Sequence, residues 1–595
     1  MGEAPSLFTL CMESVAMELV RGDDLLPDIY ELPLDLFDCL LTSLPPLALQ
    51  KLQEQLSFSN WNDYESTNDC FENQRKRKRC LNFEIAWRAL YKSRWPGLRI
   101  YWETHLQDCL DAAAEKALLP SFDGCIGEIK VPDAVLKYIG CGVHLSNITR
   151  DCSKLSYHFR HFGSYARCLK LQNVLCAAET CLLLRTSKLE SLELRWIKSN
   201  EHVVGLCKLL DQNSETLTSI EFIHCKLSST FVDAICDSLH IKGLQTHGVK
   251  HFSIKTSSFM EINSLPLPVG LASFLSSGRS LTLLSLSDNN LQQNFAKMVL
   301  NTLLDASSSI VILDLSENNI AGWLSDFKWR STSCSKLYSG IGKSLQSLRV
   351  LNLRNTNLQK DDADCLIYAL VHMPNLGTLD LSDNPIEDDG MKSLISYFVE
   401  ISEREPPFAE LKLENCELTC KGVSQLLGVL SQLKKPLNAL SIGDNDLGIK
   451  VGAPLGKYLC TGIRSLNIED IGLCSSGFLE AQEELMEELK LVYINISKNR
   501  GGIETAKFLS KLISQSPRLV AVNAGYNFMP VESLSAICSG LKVAKGKLEH
   551  LDLTGNSFCD QSAEASVLAG FQIHGKPIIV LSSLPASNQP YDDDP

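Results

Sequence analysis

Leu281-Thr-Leu-Leu284-Ser-Leu286-Ser-Asp-Asn289-Asn-Leu291 reads L-x-x-L-x-L-x-x-N-x-L, and the next copy is Ile310, Leu313, Leu315, Asn318 and Ile320. Further copies start at Leu348, Leu376, Phe408, Leu437, Ile463, Leu491, Leu519 and Leu548, in steps of 26 to 38 residues. The L-x-L alternation suits a short strand with one buried face. Asn289, Asn318, Asn384, Asn445, Asn499, Asn527 and Asn556 follow the strands. An amide there can both donate to and accept from the backbone where the chain leaves the strand. Stacked copies then form a ladder of buried amides, with interruptions expected at Thr356, Cys416 and Ile471. Between strands, residues 362–371 and 391–399 set apolar side chains at three- and four-residue spacing, which predicts helices.

Alternating strand and helix, each strand parallel to the last, gives a solenoid. The template and its long period resemble the leucine-rich repeat of the ribonuclease-inhibitor class. That resemblance implies an α/β horseshoe, here preceded by a small all-α module, and a surface that binds another macromolecule rather than a catalyst. The solenoid is expected over 189–582. Residues 121–188 read as a cap with degenerate repeats, among them Leu169-Lys-Leu171. Early copies follow at Leu189, Leu192, Leu194 and at Leu217, Ile220, Phe222, Cys225, Leu227, then Val249, Phe252, Ile254. Residues 577–581 read as a closing strand, and 583–595 as a disordered acidic tail.

Of the 595 residues, 45% are hydrophobic and 21% charged, an ordinary globular balance. The net charge of −14 argues against a nucleic-acid partner, which needs a basic face. No run approaches the ~18 apolar residues of a membrane helix, so no membrane partner is expected. Glu13, Glu18, Asp23 and Asp24 punctuate an N-terminus without a basic n-region, so no secretory signal is expected. The 22 cysteines form no C-x-x-C pair or zinc-spaced cluster and read as reduced thiols of an intracellular protein. There is no P-loop, G-x-S-x-G or H-E-x-x-H. No catalytic residue, metal or cofactor is therefore expected.

Ser6-Leu7-Phe-Thr-Leu-Cys11-Met-Glu-Ser-Val15 reads S-L-x-x-x-C-x-x-x-V. On a helix Leu7, Cys11 and Val15 lie one above another, and the small Cys11 lets a partner approach. Leu32-Pro33 then leads Leu36, Phe37, Leu40, Leu41 and Leu44 to a break at Pro45-Pro46, where one helix stops and another starts. The first pattern resembles the Elongin-C-binding box. The second resembles an F-box, or the cullin-contacting half of an Elongin-type box, and Ala86-Trp87-Arg88-Ala-Leu90 resembles the segment closing such modules. The order is similar to that of leucine-rich-repeat substrate receptors of Elongin–cullin ubiquitin ligases. It implies a helical module over 1–56, extended over 83–120. The module would dock an Elongin-C-type or Skp-type adaptor and a cullin through Leu7, Cys11, Val15, Leu32, Pro33, Leu36 and Leu40. An ordinary amphipathic first helix would carry the same stripe. The polar loop 57–82 departs from a compact F-box and holds Arg75-Lys76-Arg77-Lys78-Arg79. That run reads as an import signal or a solvated loop, and gives an expected location in nucleus and/or cytoplasm.

Residues between and after the leucines face the open side of the strands. They include Asp288, Asp314, Glu317, Asp380, Asp383, Glu414, Asp444, Glu469, Asp470 and Asp552, against Arg354, Lys412 and Lys498. A wall of one sign favours a partner of the other. Asp314, Arg354, Asp380, Glu414 and Asp444 are therefore candidate contacts to a basic protein client. Asp is also simply a good turn residue at a strand exit. The long step after Ile310 holds Trp323, Phe327, Trp329 and Arg330, either a projecting contact loop or rings packed inward. The chain thus reads as the non-enzymatic substrate-recognition subunit of a cullin–RING ubiquitin ligase. The alternative is a scaffold or stoichiometric inhibitor with no ubiquitin role.

Overall fold

The structure, a computed structural model, describes residues 32–44, 49, 52, 142–146, 166–172 and most of 184–581. Within that last range 198–200, 261–266, 326–342, 403–407, 559–567, 572–576 and a few isolated positions are not described. The S-L-x-x-x-C-x-x-x-V pattern, the basic run 75–79, the extension 83–120 and the tail 583–595 lie outside the described residues. The chain divides into two compact units, one of 1–144, 148–169 and 182–188, the other of 145–147, 170–181 and 189–595.

In the first unit the L-P segment forms the helix Leu34–Ser43, which follows Pro33. Phe37 N–H donates to the Pro33 carbonyl at 2.9 Å, closing the first turn. Phe37, Leu40, Leu41 and Leu44 are buried with Leu49 and Leu52, the stripe expected of an amphipathic helix.

Gly142–Ser146 (β1) and Cys168–Gln172 (β2) come first among the strands. The early solenoid holds Ser191–Arg195 (β3), Ser219–Ile223 (β4), Lys226–Ser228 (β5), His251–Lys255 (β6) and Ser258–Met260 (β7). Next come Leu283–Ser285 (β8), Ile312–Asp314 (β9), Val350–Asn352 (β10), Thr378–Asp380 (β11) and Glu410–Lys412 (β12). The last six are Ala439–Ser441 (β13), Ser465–Asn467 (β14), Tyr493–Asn495 (β15), Ala521–Asn523 (β16), His550–Asp552 (β17) and Ile578–Val580 (β18). From β3 the order is β3, β4, β6, then β8 to β18, while β5 and β7 form a separate pair. The described pairings are parallel, with equivalent residues in register, such as Leu351 beside Leu313 and Leu379. This is a leucine-rich-repeat solenoid.

The leucines of each L-x-L drive it. Leu284, Leu286, Leu313, Leu315, Leu351, Leu353, Leu379 and Leu381 are all buried. Behind them, the helix Lys360–Leu370 contributes Ala363, Leu366, Ala369 and Leu370. Glu387–Glu400 contributes Met391, Leu394, Tyr397 and Phe398, and Cys420–Leu430 contributes Val423, Leu426, Leu427 and Leu430. Strands sit ~4.8 Å apart and helices ~8–10 Å, so the sheet takes the inner side of the stack.

The amide ladder is present. Asn384 Oδ1 accepts from Thr356 N–H at 3.0 Å and Leu358 N–H at 2.9 Å. Its Nδ2 donates to the carbonyls of Leu353, Leu381 and Ser382 at 2.8, 2.9 and 3.1 Å. Asn318, Asn445, Asn499, Asn527 and Asn556 repeat the pattern. Two of the three expected interruptions are filled by surrogates. Thr356 Oγ1 donates to the Leu353 carbonyl, and the Cys416 thiol donates to Leu381 O at 3.2 Å while accepting from Asn384 N–H. The third, Ile471, brings no polar side chain to its rung.

Candidate protein-binding face

The last residue of each three-residue strand sits between the two buried residues of L-x-L and points to the open side, and in seven strands it is Asx with a fixed task. Asp314, Asn352, Asp380, Asn467, Asn495, Asn523 and Asp552 each accept, through Oδ1, the N–H two residues on, at 2.9–3.2 Å. This local bond turns the chain out of the strand. Asp314 and Asp380, proposed from sequence as client contacts, are turn-formers first. Asp380 is only 8% exposed.

The next turn position is left-handed in every described repeat from β3 on. It holds Trp196, His224, Thr256, Asp288, Glu317, Asn355, Asp383, Asn415, Asp444, Asp470, Lys498, Tyr526 and Gly555, with φ between 46° and 70°. Its N–H donates to the adjacent repeat, as Asp383 does to Glu414 O and Asp444 to Glu469 O, both at 2.8 Å. The side chains therefore form a rim along the strand exits. Asp and Asn there satisfy the backbone, since short polar residues tolerate this region best. Part of the acidity read as a partner signal is turn chemistry.

The bases of the wall are neutralised within it. Arg354 pairs with Asp383 at 2.7 Å and reaches Glu414 at 3.5 Å. Lys412 lies 3.6 Å from both Asp380 and Glu410, and Lys498 is 2.8 Å from Glu469. Glu414 also accepts from the Ser441 hydroxyl and, at 2.9 Å, from the Asn467 amide. Burial pushes Glu469 up, but the Lys498 ammonium and the Asn495 amide outweigh it and hold its carboxyl below the usual range. Asp444 has no such donor. Burial, then Glu469, hold its carboxyl above the ordinary value. What remains is a face with excess acid around Asp288, Glu317, Asp444 and Asp470.

The structure brings together Asp314, Arg354, Asp380, Glu414 and Asp444, all on one face. It does not describe Leu7, Cys11, Val15 or Arg75 to Arg79. In the first unit Leu36 and Pro33 are exposed, Leu32 is half-buried and Leu40 is buried. Trp323 is buried, so that ring packs inward, while Phe327, Trp329 and Arg330 lie outside the described residues. Sequence reasoning missed the rings of the open side: Trp196 stacked on His224 at 4.4 Å, and Tyr493, Tyr526 and Phe528. For Trp196, Tyr526 and Phe528 the available signal was an aromatic residue just before or after the ladder position, where other copies hold Asp or Asn. Among the described residues no group of three or more His, Cys, Asp or Glu is arranged to hold a metal, and no helix is long and apolar enough to cross a membrane.

Residues 372–394 match a family model described as Leucine Rich repeat. The chain is 25% identical to pig (Sus scrofa) ribonuclease inhibitor over 228 residues, covering 38% of this chain and 49% of that one. It is 26% identical to the mouse (Mus musculus) ribonuclease inhibitor over 271 residues, 42% of this chain and 57% of that one. The chain thus spans about half the length of these relatives. A solved complex of Rad7 and Elc1 in yeast is similar at a TM-score of 0.38 and 12% identity, over 82% of this chain and 97% of that one. Strands, ladder and relatives agree on a leucine-rich-repeat solenoid of the ribonuclease-inhibitor kind, a fold for protein–protein contact.

Proposed function

We propose that this chain is the client-binding subunit of a cullin–RING ubiquitin ligase. The solenoid holds a protein client along its strand-side face, and the N-terminal segment joins an Elongin-C-type adaptor and a cullin. The carrying observation is the order in one chain: Leu7, Cys11 and Val15 at four-residue spacing, an L-P helix, then an open protein-binding solenoid. The protein's contribution is proximity, since an enzyme recruited elsewhere transfers the ubiquitin. The acid excess around Asp444 and Asp470 favours a basic client segment. The run Arg75 to Arg79 would serve nuclear import. A second reading, a stoichiometric inhibitor or scaffold, draws support from the ribonuclease inhibitor relatives.

The deciding experiment is co-purification of the full chain with purified Elongin C and, separately, with a Skp-type adaptor, as wild type and as Leu7→Ser/Cys11→Phe. Elongin C held by the wild type and lost by the double variant is the expected result. A Skp-type adaptor held regardless of the substitutions would move the docking surface to Leu32–Leu40. Binding to neither adaptor would remove the ligase reading and leave the inhibitor.

A further inference from the structure

The first open-side residue of each strand belongs to a row that crosses the sheet. Leu283, Ile312 and Val350 are its members on β8, β9 and β10, in register and each half-buried. Polar residues hold the row on either side, Ser219 and His251 before them and Thr378 and Glu410 after. Beside this aliphatic stretch the floor is low. The next open-side residues of the β8 and β9 repeats are Ser285, Ser287, Asp314 and Ser316, where the β10 and β12 repeats carry Arg354, Lys412 and Glu414. Asp314 accepts from the hydroxyls of Ser285 at 2.9 Å and Ser316 at 2.7 Å, so covering the floor strands neither.

The rim past that floor carries Asp288 and Glu317, both exposed. The nearest bases are engaged elsewhere: Lys255 pairs with Glu221 at 2.9 Å and Arg354 with Asp383 at 2.7 Å. Among the described residues no Lys or Arg pairs with Asp288, Asp314 or Glu317. Three acids without a cation therefore flank an aliphatic row. The backbones of β8, β9 and β10 pair on both sides, so this face offers an extended peptide no free backbone groups and binds through side chains alone. An α-helix brings a backbone already satisfied. Its side chains at i, i+3 and i+4 advance ~4.5–6 Å along the axis, close to the ~4.8 Å between neighbouring strands.

We propose that β8 to β10 form the docking site for an amphipathic basic helix of the protein partner. The helix lies across the three strands. Its apolar ridge sits on Leu283, Ile312 and Val350, and its Lys or Arg flank lies over the serine floor toward Asp288, Asp314 and Glu317. The inference rests on the open face being the client-binding face, and it gives that contact a place and a shape. Asp444 stands about four strand spacings from Glu317, ~19 Å, so it adds to the field that draws the helix in and makes no contact with the flank.

The probe is a synthetic helical peptide of about five turns, with Leu at i, i+3, i+4 and i+7 and Lys along one flank. A scramble of equal composition and no ridge accompanies it. One ridge Leu is replaced by a photoreactive ring. With the full chain at physiological salt, the ridge peptide should bind about tenfold more tightly than the scramble. Its photolink should map by mass spectrometry to the strands and rim of β8, β9 and β10. Leu283→Ser/Val350→Ser should weaken binding about tenfold, the loss of two aliphatic contacts. Asp288→Asn/Glu317→Gln keeps the turn residues polar and should weaken it several-fold while flattening its salt dependence. Asp444→Asn should stay within about twofold, since charges are screened over ~8 Å at that salt. Superimposed urea unfolding curves show that the variants are folded. Equal binding of ridge and scramble, or no binding of either, would overturn the proposal. So would photolinks at Tyr493, Tyr526 or Phe528, which would keep a basic client on the open face and move it to the last repeats. Elongin C retention should be untouched by these substitutions, so failure here and failure of the ligase reading are told apart.

Discussion

The early and late repeats solve one problem in two ways. The problem is the backbone where each strand ends and the chain turns toward its helix. From β8 on, strands pair over three residues and an Asn side chain takes the remaining donors and acceptors. In β3, β4 and β6 the pairing runs five residues, and the ladder positions hold Ile197, Cys225 and Ser257. There the backbone continues into the extra pair of β5 and β7, with Lys226 N–H donating to Ile197 O at 2.9 Å and Ser258 N–H to Cys225 O at 3.0 Å. The core differs in step. Phe222, Phe231, Phe252 and Phe274 fill the early part, and His247 stacks flat on Phe274 at 3.8 Å. In the late part the rings, such as Tyr397, Phe398, Phe478 and Phe508, come from the helices, and the strands contribute aliphatic side chains and amides. The early repeats should therefore be sensitive to ring packing and protonation, and the late ones to amide loss.

The largest effect is expected from Asn384→Leu. It strands two backbone N–H groups and three carbonyls in a buried site, at a cost of about 3 kcal/mol or more. Repeat arrays can lose cooperativity, so the readout is hydrogen exchange around 350–385 alongside urea unfolding. Ser257→Ala in the early part should cost only about 1 kcal/mol, since longer strands already pair the backbone there. Equal costs at Ser257 and Asn384 would break the comparison.

The repeat itself was legible because it is redundant. One misread copy changes nothing when ten share a template, and leucines at L-x-L have no other stable place than the core. The Asn ladder followed from the same repetition. What stayed hidden depends on contacts between repeats. Nothing in the sequence says that Asp380 aims its carboxylate at its own Ser382 N–H, so it reads as a charge offered to a partner. The template puts Cys416 at a rung and reads it as an interruption, whereas its thiol fills that rung by donating to Leu381 O. Tyr526 and Phe528 look like core residues until the left-handed backbone turns them outward.

His247 sharpens the early side of the comparison. Its Nε2–H donates to Phe274 O at 3.0 Å, and its Nδ1 is buried without a partner. Burial, the larger cause, and the nearby His240 push its pKa down to about 4. The unfolded chain holds a His near the ordinary 6.5, so between pH 6.5 and about 4 it binds more protons than the folded chain. Stability from this group is thus complete above pH 6.5 and lost as pH falls toward 4. From pH 7 to pH 5 the early repeats should lose about 2 kcal/mol. Hydrogen exchange around 247–275 at the two pH values measures it, and His247→Phe should remove the pH dependence while the late repeats stay unchanged.

Cys416 tests the late side with a weaker donor. Burial raises its thiol pKa to about 12, so at pH 8 it is protonated and shielded. Iodoacetamide should label it only at the rate at which its repeat opens, whereas the exposed Cys168 reacts at once. Cys416→Ala should cost about 1–2 kcal/mol, less than Asn384→Leu, because one thiol serves fewer backbone groups than one amide. A cost equal to that of the amide would mean that shape rather than hydrogen bonding holds the rung.

Asp380 carries the smallest expected effect on stability and separates the two roles of the open face. Its Oδ1 accepts from Ser382 N–H at 3.1 Å, and its Oδ2 lies 3.6 Å from Lys412. Asp380→Asn keeps an oxygen at the turn and removes only the charge. Stability should change by less than about 0.5 kcal/mol, since at 3.6 Å the pair is loose and its Lys412 end is open to water. Asp380→Lys would also remove the turn acceptor, so a loss of binding on charge reversal could not be assigned to charge. The informative pair is Asp380→Asn with Asp444→Asn, read by affinity for a basic client peptide at low salt. Asp444 takes no part in the Asx turn bonds, so the two positions differ in structural duty while sharing the sign of their field. If the acidic face recruits a basic segment, both variants should weaken binding several-fold and flatten its salt dependence while unfolding curves stay superimposed. Unchanged binding in both would leave the acids of this face as turn residues alone and move the client contact to the rings of the two ends.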